Sequence, residues 1–123
     1  MGIFNFKKKK KIGNTEFIHA TEEFIQFLKA EDEDTVAFGR GSLAAAGALV
    51  VDLMIKMLTD KQEDVKYRRR AGHVLGDIGN PSIIPLLSVL SGLEFIGKFA
   101  SETIGIVAAA LSDIGKPAIK LLI

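Results

Sequence analysis

The chain has 123 residues, 48% of them hydrophobic and 25% charged, enough apolar material for one core and too much for a chain disordered throughout. It contains no cysteine, which excludes disulfides, thiolate zinc sites and cysteine nucleophiles and fits a reducing, cytoplasmic setting. The net charge of +1 hides an asymmetry able to steer a partner: residues 1–12 carry +5, residues 13–34 carry −6 and residues 65–80 carry +3.

Residues 1–13 read as a basic flexible arm, because Lys7, Lys8, Lys9, Lys10 and Lys11 are adjacent and repel one another. With Phe4 and Phe6 just before them, these lysines form a candidate contact for an anionic membrane or a nucleic acid. No apolar segment follows the lysines, so a secretory signal is not expected. Residues 14–30 are predicted to form a capping helix, with Phe17, Thr21, Phe24, Ile25 and Leu28 along one side. The acidic run Glu31, Asp32, Glu33 and Asp34 suits the positive N-terminal end of a following helix. It lacks the glycine that calcium loops place at their sixth position.

Residues 35–59 are predicted to form a first helical pair. Its second helix is marked by Val51, Met54, Ile55 and Leu58, whereas its first is weakened by Gly39, Gly41 and Gly47. The small residues Ala44, Ala45, Ala46 and Ala48 imply close packing there. The same stretch is not read as a phosphate loop, since no strand precedes it and the closing Lys-Ser/Thr pair is absent. The apolar windows 41–51 and 104–123 are too short or are interrupted by Asp113, Lys116 and Lys120, so neither is expected to give the ~20-residue span that crosses a bilayer.

Residues 64–91 hold the clearest unit. Tyr67, Ala71, Val74, Leu75 and Ile78 follow the 3.6-residue period of one helical stripe. Gly79 ends that helix, Asn80 can cap the next and Pro81 stands at its first position. Ile83, Leu86, Leu87 and Leu90 then give a second stripe, and a two-residue hinge implies an antiparallel pair. In residues 97–123, Val107, Ala110, Leu111 and Ile114 repeat the first stripe. Asp113-Ile114-Gly115-Lys116-Pro117 likewise repeats Asp77-Ile78-Gly79-Asn80-Pro81. A last helix is therefore predicted from Pro117, with Ile119, Leu122 and Ile123 as an apolar face on which two copies could associate.

Six dipeptides, Tyr67-Arg68, Ala71-Gly72, Leu75-Gly76, Ile78-Gly79, Asn80-Pro81 and Ile84-Pro85, make this stretch resemble the HEAT repeat, in the short form named after phycocyanobilin lyases. The resemblance implies an all-α fold: an α-solenoid of about three HEAT-like helical hairpins with an N-terminal capping helix, spanning residues 14–123. It implies a scaffold for protein–protein interaction, with Arg68, Gly79, Asn80, Pro81, Gly115 and Pro117 as the repeat's structural signature. Arg68 would link neighbouring units through Asp60, Glu63 or Asp64. The candidate partner contacts are Asp52, Lys56, Ser88 and Lys120 on the second helices, and Arg69 and Arg70, which point to other sides of the central unit's first helix and could meet an acidic partner or phosphates. No catalytic, cofactor or metal site is expected. His19 and His73 lack the adjacent carboxylates with which some HEAT-like proteins hold two irons.

Overall fold

The computed structural model describes residues 17–93 and 97–122, with side chains described as far as residue 115. The arm, including Phe4, Phe6 and Lys7 to Lys11, lies outside the described residues, as do residues 94–96. Among the described residues there are helices and no strand, so the fold is all-α. The helices are α1 (residues 17–28), α2 (Glu33–Ala46), α3 (Val51–Leu58), α4 (Val65–Ile78), α5 (Ile83–Gly92) and α6 (Lys98–Leu122). Short 3-10 turns, Gly47–Val50 and Asn80–Ser82, join α2 to α3 and α4 to α5.

The acidic run acts at a helix start. Asp32 accepts hydrogen bonds from the Thr35 backbone N–H (2.9 Å) and from Thr35 Oγ1 (2.8 Å), and Glu33 and Asp34 occupy the first turn of α2. The Thr35 bonds lower the Asp32 carboxyl below its ordinary value. Thus α2 begins before Thr35 and is a full helix of 14 residues despite its glycines. One reason is Gly39, where α1 crosses: a Cβ there would lie 2.8 Å from the Phe24 carbonyl oxygen and 2.9 Å from the Leu28 nitrogen. Backbone-to-backbone approach outweighs helix propensity at this residue.

By length and composition Glu33–Leu58 is apolar enough to cross a membrane, beyond what the shorter 41–51 window suggests. Gly47, at φ 63°, divides it, and α2 and α3 each pack on α4.

Helix α4 is the centre. It lies between α2 and α6 and also packs closely on α3, while α5 rests on α3 and α6. The predicted stripe faces inward: Ala71, Val74 and Leu75 are fully buried, with Tyr67 and Ile78 half-buried beside them. Leu28, Leu43, Val50, Met54, Leu58, Leu86 and Val107 complete the core. Close approach of α4 and α6 depends on Gly72, where a Cβ would meet Ile106 Cγ2 at 2.5 Å.

Three expectations are corrected. Asn80 does not cap α5; a 3-10 turn with no side-chain cap bond intervenes, and α4 and α5 approach closely only around that turn. Leu87 is 47% exposed, because a narrow buried line through Leu86 suffices to seat α5. Finally, Gly115 and Pro117 make no turn. Helix α6 runs unbroken from Lys98 to Leu122, since Gly115 lacks the positive φ that Gly79 adopts at 86°. Ala108, Ala109, Ala110 and Leu111 ahead of it favour continued helix.

Candidate protein-interaction face and the arginines behind it

The candidate partner residues fall into two groups. Asp52 and Lys56 are exposed one turn apart on α3, and Ser88 is exposed on the adjacent α5. Around them are large aliphatic side chains open to solvent: Leu49 (71% exposed) and Leu53 (40%) beside Asp52 and Lys56, and Ile84 (70%) and Leu87 beside Ser88. Within α3 the spacing 52, 53, 56 and within α5 the spacing 84, 87, 88 each define one helical face, while Leu49 lies in the 3-10 turn ahead of α3. Four exposed aliphatic residues thus lie on the solvent sides of two helices that pack on each other and in the turn that leads into one of them. Ser88 also borders a groove of about 500 Å3 with Thr59, Lys61, Val89, Gly92 and Phe99, between the end of α5 and the start of α6.

Sequence periodicity missed the apolar part of this face. Its signal was present, because Ile83, Ile84, Leu86, Leu87, Val89 and Leu90 make α5 apolar around most of its circumference. One stripe cannot use them all. Lys120 lies in α6, and its side chain is outside the described residues.

The arginines separate sharply by role. Arg68 is 2% exposed: its Nε donates to the Leu58 carbonyl (2.7 Å), Nη1 to Glu102 Oε1 (3.3 Å) and Nη2 to Thr103 Oγ1. The guanidinium also lies 4.2 Å from the centre of the Phe99 ring. It therefore joins the end of α3 to α6. Its hydrogen-bonded carboxylate, Glu102, follows it in the chain; of the three acids expected before it, only Asp60 acts on it, through charge and without a hydrogen bond. Glu63 instead pairs with Lys29 (2.7 Å), Asp64 caps α4 by accepting from the Lys66 N–H (2.8 Å), and Asp60 accepts from the Gln62 N–H. Burial lowers the Arg68 guanidinium from its ordinary value, and the charge and hydrogen bond of Glu102 and the charge of Asp60 oppose that shift.

Arg70, the other arginine among the candidate contacts, is half-buried and engaged inside the molecule. Its Nη1 donates to the carbonyls of Leu28 (2.8 Å) and Ala30 (3.0 Å), closing the C-terminal end of α1. Arg40 on α2 grips Asp77 on α4 through Nε–Oδ2 (2.5 Å) and Nη2–Oδ1 (3.0 Å). That hydrogen bonding raises the guanidinium above its usual value. Arg69, by contrast, is exposed and has no partner among the described residues.

His19 and His73 are both exposed. Among the described residues, no three His, Cys, Asp or Glu side chains come together as a metal site requires. A scan against protein-family models gives no match, and neither the curated proteins nor the solved structures yield one.

Proposed function

We propose that this chain is a non-catalytic, cytoplasmic interaction module, a short α-solenoid of HEAT-like units that holds a protein partner on the outer face of α3 and α5. The observation that carries the reading is the exposure of Leu53, Ile84 and Leu87 on the neighbouring helices α3 and α5, and of Leu49 in the turn before α3, together with exposed Asp52, Lys56 and Ser88. Apolar anchors rimmed by polar groups are the composition of a protein interface. The solenoid reading is supported by the order of packing. Helix α4 packs on both α2 and α6, and α3 packs on α5, the first-to-first and second-to-second neighbours that stacked units have, while the two helices of each unit meet mainly at their turn. Two further links fit it: Arg40 to Asp77 and Arg68 to Glu102 each tie one unit to the next.

The test is affinity capture from native cells at moderate salt, comparing the parent chain with a Leu53→Glu, Ile84→Glu double variant. Both positions are exposed, so the variant should melt like the parent and lose the captured protein. Equal capture by the two chains, or none by the parent, would refute this face as the site.

A further inference from the structure

Between α4 and α6, a cleft of about 280 Å3 is lined by Arg69, His73, Ser101, Glu102, Gly105, Ile106 and Ala109. Three observations give it a chemistry. The first concerns charge. The chain has four arginines, and Arg40, Arg68 and Arg70 are each held by internal acceptors. Arg69 has no such acceptor among the described residues, and neither has His73 one turn along the same helix, so two sets of N–H donors border the cleft unused. The second concerns shape. Ser101, Gly105 and Ala109 recur every fourth residue of α6 and keep the floor low. A Cβ built on Gly105 would find nothing within 4 Å, so that floor opens onto free space instead of a neighbour.

The third observation limits the ligand. Glu102 lines the same cleft, and its carboxylate is engaged by Arg68 at 3.3 Å. A phosphate dianion would meet more repulsion from that charge than a carboxylate monoanion, whose two oxygens also match the planar fork of Arg69. Ile106, Gly105 and Ala109 offer the remainder of the ligand an apolar surface.

We propose that this cleft binds a carboxylate carried on a small aliphatic body, with Arg69 as its bidentate donor, His73 and Ser101 as flanking hydrogen-bonding groups and Gly105 as the residue that leaves room for it. Either a free short-chain acid or the C-terminal residue of a peptide presents this group.

The test is a 1H–15N NMR titration of the full chain with sodium isovalerate, with the peptide acetyl-Ala-Val-OH, with its C-terminal amide and with inorganic phosphate, each to about 10 mM, where a site of millimolar affinity is mostly filled. Shifts are expected at the amides of Ser101, Gly105 and Ala109 with one or both carboxylates. Isovalerate alone would identify a free acid and the peptide alone a chain terminus. The shifts should fall at least tenfold in two variants. Arg69→Gln removes the charge, and Gly105→Leu fills the cleft from a position with open space above it. Spectra elsewhere in the molecule report that both variants stay folded. The proposal is overturned if no probe shifts those amides. It is equally overturned if the amide or phosphate acts as strongly as the carboxylates, or if the shifts survive both substitutions.

Discussion

On the face of α4 turned toward α6, Arg68 is sealed beneath Phe99 and bonded through all three guanidinium nitrogens; one residue further round the helix, Arg69 stands in the open. The two side chains are chemically identical and the helix is the same. Position alone decides that one organises the interior while the other is free for an external ligand. The buried face also carries Gly72, whose missing side chain lets α6 come close enough for Glu102 and Thr103 to reach Arg68. Burying a guanidinium costs several kcal/mol unless its donors are met, so the glycine and the arginine depend on one another.

The largest effect is expected from Arg68→Ala, which strips partners from the Leu58 carbonyl and Thr103 and leaves Glu102 without its cation. A loss of about 3 kcal/mol should follow, read as a fall of about 10 °C or more in Tm, while Arg69→Ala should stay within about 0.5 kcal/mol of the parent. If both variants melt alike, the contrast between the two faces is wrong. Next comes Gly72→Val. The added carbons collide with Ile106, and a loss of about 1 to 3 kcal/mol is expected even though glycine is a poor helix former; a neutral result would mean that α6 can move away freely. Smallest is Arg40→Gln on the α2 side. The Arg40–Asp77 pair is bidentate but 42% and 37% exposed, so the loss should be about 0.5 to 1 kcal/mol and should shrink with added salt.

Much of this arrangement was legible in the residues. The stripes Ala71, Val74, Leu75 and Val51, Met54, Leu58 are buried as their period demands, and the acidic run sits at a helix start. The unread part depended on three-dimensional choices that local pattern leaves open. Gly79 and Gly115 share the surroundings Asp-Ile-Gly-x-Pro, yet only Gly79 takes positive φ. A glycine permits the left-handed turn without compelling it. The hydrogen-bonded partner of Arg68 was likewise hidden, because Glu102 lies 34 residues away in sequence, whereas of the nearer acids Asp64 caps α4, Glu63 pairs with lysine and Asp60 accepts from a turn N–H. On α5, apolar residues all round the helix left periodicity unable to name the exposed side, and there lies much of the proposed partner face.

Arg70 has a consequence for how the molecule breathes. Its guanidinium closes the last carbonyls of α1 from 40 and 42 residues away, and Lys29 at the same helix end pairs with Glu63 just ahead of α4. The end of α1 is thus complete only while α4 is in place. Amide protons near Leu28 are therefore set to exchange with solvent through the same openings as those of α4, making the first helix a member of the central cooperative unit instead of an independent fraying end.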